Sequence, residues 1–554
     1  MLWAERSIVN RSRLDSCAAN DSDEPGFSFI MARTPFFQDI QRALRVASWL
    51  EQTRTGTVEG LERLEEAAWS RRRFLRTAAA VTAGAALAPI FKQAAHAAQT
   101  PRVVIIGAGT AGLICAYRLQ QKDIGARVIE ASTRAGGRMF SLRNFFPDNQ
   151  LTELGGEYID SGHKTMRRLV QELGLTLNDL GNEKNPGGGH TYFFNGRLVP
   201  VDADFIEMFR PVARAISDDL KRMKVRNEIS YDSPHAREVD RLSLPEWFEK
   251  RGVTGLMTSV LRAAYVGEYG LEIDQQSALN LLLTIGDAVP ANEFRIFGES
   301  DERFHIAEGN DSVPGRLAQR LERPVEFGTR LEAITAEGEG YRLALRNDEK
   351  STELKADILV LALPFTILRQ LEVRVKLPEA KRKAIHELGY GTNAKLIAGF
   401  SRRVWEEAHS TGYTFTDLEF QCCWETSRGQ PGSQAILTNF AGGKLGQHLN
   451  EGDVQDRAAA FASQIERIYP GAQEAFTKKA VRQHWPSSPF VLGSYTCYKP
   501  GQYSTLADAI ATPIGNMFFA GEHTSVDFNG YMEGAAETGE RAAKEVLAKI
   551  RGRK

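Results

Sequence analysis

The chain has 554 residues, 42% of them hydrophobic, which is enough for at least two domains with packed cores. Its 69 basic and 70 acidic residues leave a formal charge of -1, so composition offers no electrostatic case for a nucleic-acid partner. The five cysteines, Cys17, Cys115, Cys422, Cys423 and Cys497, lack metal-ligand spacing, which argues against a zinc finger, an iron–sulfur cluster or a CxxCH heme site and leaves no metal expected. Cys422 and Cys423, adjacent in sequence, read as packed thiols.

Residues 1–100 read as an N-terminal extension ending in a twin-arginine-type signal. The stretch Ser70-Arg71-Arg72-Arg73-Phe74-Leu75-Arg76 is basic, Thr77 to Phe91 is a short Ala-rich apolar run, and Ala95-His96-Ala97 is a small-x-small cleavage pattern. The run is too short and too rich in Ala and Gly for a stable membrane span. The expected location is periplasmic or exported. A cytoplasmic protein that keeps the leader as an amphipathic helix is the alternative. Residues 1–30 lack periodicity, so Met31 is a candidate start, and Phe36, Ile40, Leu44 and Leu50 give the segment 35–69 helical spacing.

Val103-Val104-Ile105-Ile106 is a continuous β-branched run, as expected of a strand buried on both faces. It runs into Gly107-Ala108-Gly109-Thr110-Ala111-Gly112 and then a helical pattern to Gln121. Gly107 suits the tight turn, Gly109 lets backbone approach a pyrophosphate, and Gly112 lets the helix pack close to the strand. Free N–H groups and the helix dipole would hold the pyrophosphate near Ala111. A second strand, Ala126 to Ile129, ends at Glu130, placed to accept from ribose hydroxyls and to repel a 2′-phosphate. Strand, turn, helix, strand and acid in this order define a Rossmann-type unit, so the fold class is α/β with an α+β substrate domain.

The residues beyond Glu130 separate FAD from NAD. Past Ala131, the pair Gly136-Gly137 with Arg138 can reach the flavin side of an extended FAD. Gly155-Gly156-Glu157 offers a further close backbone approach. Near the C-terminus a short apolar strand ends at Gly521-Glu522, and Tyr531-Met532 opens a long Ala-rich helix. That helix would aim its positive end at the flavin edge where charge accumulates on reduction.

These blocks together resemble the FAD-dependent amine oxidase superfamily, which holds monoamine, polyamine and L-amino acid oxidases. The resemblance spans roughly residues 101 to 550. One departure is Glu308-Gly309-Asn310, where the family usually has Gly-Gly. The resemblance implies a discontinuous FAD-binding domain from 101–165, 300–395 and 510–550, a largely helical region 166–299, and a substrate-binding region 396–509. It also implies adenine contact through the backbone of Val325 and a strand over residues 357–363 beneath the cofactor. A homodimer is common in such families.

The activity so implied is oxidation of a C–N bond by hydride transfer from the α-carbon to flavin N5. The imine is hydrolysed, and dioxygen reoxidises the flavin to release hydrogen peroxide. Three residues carry the implied catalytic roles. Lys395 matches the lysine that holds a water near N5; a strand lysine is usually a solvated edge residue, but Leu396, Ile397 and Ala398 favour a buried one. Tyr495 and Tyr531 match the aromatic pair that would form a slot for the amine. Ser494 stands where some relatives carry a flavin-linking cysteine, so FAD is expected to be noncovalent.

Substrate-binding candidates are Glu157, Tyr158, Asp160, Trp485 and Tyr495, with Trp424 a further cavity candidate. Many L-amino acid oxidases place a carboxylate-clamping arginine where this chain has Glu157-Tyr158-Ile159-Asp160. Acidic groups there favour a substrate with an extra positive charge. Basic L-amino acids such as arginine or lysine are therefore the favoured substrates. A mono-, di- or polyamine oxidase, or a dehydrogenase with a protein acceptor, is the alternative. A carotenoid desaturase or protoporphyrinogen oxidase relative would need an apolar docking stretch, whereas 200–290 is amphipathic and charged.

Overall fold

Val103–Ile106 is buried along its whole length because it lies inside a four-stranded parallel sheet. Ala126–Ile129 flanks it on one side and Ile358–Leu361 on the other, and Met517–Phe519 completes the sheet. The computed structural model describes residues 101–552 apart from 183–188, 201, 226–227, 286–301 and 349. The expected leader and the segment 35–69 lie outside the described residues.

The nucleotide sheet thus draws its strands from three separated stretches of chain. Two close backbone approaches fix the geometry of its first turn. Gly107 has φ +104°, and a Cβ there would stand 2.5 Å from the carbonyl oxygen of Ala362. A Cβ on Gly112 would stand 2.0 Å from the carbonyl oxygen of Gly107, so the helix Thr110–Gln120 seats directly on the strand end. The C-terminal helix Met532–Arg551 packs against that helix, where Gly539 lies against the backbone of Ala111. Arg118 joins the two through Glu540 at 3.0 Å.

A seven-stranded sheet forms the second layer. Its strand Ala394–Phe400 is wholly buried between Phe476–His484 and Ala435–Ala441. The helix Val454–Glu466 covers one face with Phe461 and Ile465. The region 166–299 is mostly helical but not a separate helical unit. Its strand Gly189–Phe194 pairs in parallel with Ser410–Thr416 and extends the same sheet. The β-prone run Thr191-Tyr192-Phe193-Phe194 explains that pairing. No described helix is long and apolar enough to cross a membrane.

Gly112→Ala should cost about 3 kcal/mol or more, because the carbonyl it would meet is rigid backbone rather than a flexible side chain. A denaturant midpoint equal to that of the wild type would contradict the seating of this helix.

Candidate active site

One cavity of about 1030 Å³ runs from the carboxyl ends of the nucleotide strands to the face of the seven-stranded sheet. At its first end lie Gly107, Gly109, Ala111, Glu130, Ala131, Gly137 and Arg138. A Cβ on Gly109 would meet nothing within 4 Å, so its backbone faces open space above the helix N-terminus. Glu130 accepts from the Ala108 N–H at 2.7 Å and from the Ser132 N–H at 2.8 Å, which draws the loop after it over the Gly-rich turn. Gly112 does not line the cavity; its role is to let the helix pack on the strand end.

Val325 is placed differently from the expectation. It lies partly buried in the sheet core, and neighbouring Glu326 pairs its N–H with Val128 and its carbonyl with Glu130. That segment continues the sheet edge, so the cavity is lined by Gly328, Thr329, Arg330 and Leu331 instead. The run Val325-Glu326 alternates with the edge strand, and nothing in the local sequence signals the offset.

In the middle of the cavity, Arg138 joins three segments of chain. It donates to Glu522 at 2.6 Å and to the Ser494 carbonyl at 2.9 Å. Glu522 also accepts from the Gly530 N–H at 2.7 Å and from the Thr496 hydroxyl at 3.1 Å. Gly155, Gly156, Gly521, Tyr531 and Met532 line the same stretch. A Cβ on Gly156 would meet Met532 at 2.9 Å, so this glycine admits the start of the C-terminal helix. Tyr531 is the N-cap residue of that helix, and the His163 ring lies edge-on to it at 5.3 Å. The Ser494 hydroxyl donates to Asn393 at 2.6 Å, and both residues line the cavity.

Its far end gathers Glu157, Tyr158, Asp160, Lys395, Trp485 and Tyr495, all expected, with Trp424, Phe440 and Glu302. Lys395 is buried and donates to the carbonyls of Glu153 and Gly155, each at 2.9 Å, and to Glu157 at 2.7 Å. The other Glu157 oxygen accepts from Trp424 Nε1 at 2.9 Å and from the Thr426 hydroxyl. Trp485 donates to the Leu154 carbonyl at 3.2 Å. Burial, with Tyr413 and Glu157 nearby, holds the Tyr158 phenol well above its usual pKa.

Sequence reasoning missed Glu302, Thr426 and His163 as site residues. Thr426 lies two positions beyond Trp424, the spacing that puts both on one face of a strand. The Glu302 N–H donates to Asp160 at 2.6 Å, a contact between residues 142 apart that nothing local announces. Cys422 and Cys423 are buried free thiols, as expected, and burial pushes Cys423 up to about 12.

The residues present fit an extended dinucleotide: an open glycine turn on a helix N-terminus, an acid at the ribose position, and an arginine further along. Comparisons with known proteins agree. The family model described as flavin containing amine oxidoreductase matches residues 110–547. The flavin-containing amine oxidase A of Sus scrofa is 24% identical over 468 residues, covering 82% of this chain and 86% of its own. A putative L-amino-acid oxidase of Bacillus subtilis is 24% identical over 473 residues, covering 82% and 97%. Among solved structures, wild-type putrescine oxidase bound to putrescine superposes with TM-score 0.69 at 19% identity, covering 81% and 99%.

His523, beside Glu522, is 1% exposed, and neither ring nitrogen has a hydrogen-bond partner among the described residues. Burial pushes its pKa down from the usual 6.5 to about 3, against the opposing pull of the Glu522 carboxylate and with help from the cations of Arg138, Lys381 and Arg541. An unfolded chain takes up this proton near 6.5 and the folded one only near 3, so stability falls as pH drops through that window. His523→Leu should flatten the dependence of Tm on pH there and change little above it. An unaltered slope would mean that the imidazole is protonated in the folded protein.

Proposed function

The chain belongs to the flavin containing amine oxidoreductase family, and from that premise we propose that it oxidises the C–N bond of a substrate bearing a second positive charge. Its cofactor is FAD, held noncovalently, with Ser494 rather than a cysteine in the cavity wall. Bound FAD supplies the two-electron oxidation of the amine. The protein's part is to bind, orient and desolvate.

The observation that carries this reading is the charge arrangement at the far end of the cavity. Among the described lining residues there, Lys395 is paired with Glu157 and, further in, Arg138 with Glu522. Asp160, 3.3 Å from His163 Nε2, and Glu302 add two further carboxylates to the wall. A guanidinium or ammonium entering beside them exchanges hydration for charge-assisted hydrogen bonds. Tyr158, Trp424 and Phe440 supply flat apolar surface for the carbon chain, with Tyr158 and Trp424 ring centroids 6.1 Å apart. Tyr495, in this wall, and Tyr531, in the middle stretch, both line the cavity, where they orient the amine undergoing oxidation.

Basic L-amino acids, arginine and lysine first, are the substrates proposed. A diamine or polyamine is the second reading, favoured by one feature: both lining cations nearest the amine are already paired, so a substrate carboxylate would depend on tyrosine hydroxyls. Both readings take the flavin to be reoxidised by dioxygen with release of peroxide. The leader sequence adds export as a folded, cofactor-loaded protein; activity confined to a cytoplasmic fraction would count against it.

Purified holoenzyme given arginine, lysine and a short diamine, with hydrogen peroxide and ammonia both measured, tests the assignment. Arginine or lysine turnover without diamine turnover is expected, and the reverse pattern selects the second reading. Turnover with a dye acceptor but no peroxide in oxygenated buffer would sink the oxidase. Asp160→Asn should raise KM for the dicationic substrate by about 10-fold, and should leave KM for an uncharged-tail amine within about 2-fold.

A further inference from the structure

We infer that His163 is a positioning residue that holds Asp160, in the substrate wall, at a set distance from Tyr531, in the middle of the cavity. It thereby makes the site selective for the separation between the two charged ends of its substrate. The inference deepens the proposed function and rests on it, since a second charge must be bound before its distance from the oxidised amine can matter.

The His163 imidazole is locked into a turn. The Asp160 N–H donates to His163 Nδ1, and the His163 N–H donates to the Asp160 carbonyl, each at 3.0 Å. A ring nitrogen that accepts carries no proton, so the ring hydrogen sits on Nε2. Nε2 faces Asp160 Oδ2 at 3.3 Å, and Asp160 Oδ1 accepts from the Glu302 N–H at 2.6 Å. Both carboxylate oxygens are thus oriented, one of them by His163.

The same ring meets a second turn. It lies edge-on to Tyr531 at 5.3 Å and to Phe528 at 5.6 Å, and the Tyr531 N–H donates to the Phe528 carbonyl at 3.1 Å. Aromatic rings attract in this geometry. His163 is the N-cap residue of the helix Lys164–Glu172, and Tyr531 that of the helix Met532–Arg551. Glu533, in the first turn of the second helix, accepts from the Thr165 and Met166 N–H groups of the first at 2.8 and 2.7 Å. The two helix starts therefore interlock, and Asp160 and Tyr531 belong to one packed unit.

That unit works as a gauge. With the wall and the ring held together, one methylene too many or too few displaces either the amine or the second charge. Such a mismatch is worth about 10-fold or more in kcat/KM, whereas a wall able to shift would absorb it.

Wild type, His163→Phe and His163→Asn holoenzymes would be mixed anaerobically with ornithine, lysine and homolysine, and with the straight α,ω-diamines from propane to hexane. Flavin absorbance then reports the second-order rate of reduction without any choice of acceptor. The Phe variant keeps a ring against Tyr531 and removes the tie to Asp160. The Asn variant can still accept from the Asp160 N–H and removes the ring. The wild type should prefer one length in its better series by about 10-fold over its neighbours, and both variants should flatten this to within about 3-fold. A variant that is slower at every length but keeps the preference has lost only stability or packing, and would overturn the inference while leaving the proposed function intact. So would a wild type indifferent to length. A wild type that reduces as fast with monoamines of matching length would overturn the proposed function, and the inference with it. Should neither His163 variant retain FAD, Phe528→Leu decides, because it removes the other ring that His163 meets. It too should flatten the preference to within about 3-fold, and an unchanged profile would overturn the inference.

Discussion

The nucleotide sheet can close only if strands from residues 103, 126, 358 and 517 lie side by side, and everything else in this structure answers to that requirement. Pairing such distant segments costs loop-closure entropy, so the burial of the strands must be nearly complete to offset it. Val103–Ile106 and Ile358–Leu361 are buried throughout, and Arg102 clamps the start of the join by donating to Asp357 at 2.8 and 3.0 Å. In an open parallel sheet of this kind a ligand lies beyond the carboxyl ends of the strands. The intervening chain, which includes the seven-stranded sheet, packs on one face of the nucleotide sheet in a shared apolar core and walls the cavity in.

In that arrangement ion pairs join apolar contacts in holding the cavity together. Its walls come from many distant stretches of chain, which meet at a space that must stay open. Close packing cannot operate across an open space, whereas a long charged side chain can reach across its edge. Arg138 and Glu522 bind the N-terminal loop, the Ser494 turn and the C-terminal loop. Glu157 and Lys395 do the same between the glycine strip and the sheet. In both pairs the cation is consumed by the wall.

The nucleotide half is legible in sequence because its determinants are local. Gly107, Gly109, Gly112 and Glu130 fall within one strand–turn–helix–strand unit, where spacing alone assigns each role. The C-terminal block is legible for the same reason, since Gly521, Glu522, Tyr531 and Met532 precede and open one helix. Val325 itself does not line the cavity, which is walled instead by Gly328 to Leu331 beyond the edge pairing of Glu326, an offset that local spacing does not signal. Glu302 fails because it reaches the site through a contact with Asp160 across 142 residues. The helical region hides a strand because Gly189–Phe194 completes a sheet built mainly by residues 394–484.

Glu157 marks the limit of local reading. Beside Tyr158 and Asp160 it looks like one more acid facing a cationic substrate, and its position in the cavity wall supports that. Its charge is nevertheless cancelled by a lysine 238 residues away, and its second oxygen is spent on an indole and a hydroxyl. Three acids of one cavity wall therefore do unlike work. Glu157 faces Lys395, whereas Asp160 lies 3.3 Å from His163 Nε2 and accepts from the Glu302 N–H, and only a three-dimensional count of donors against acceptors separates them.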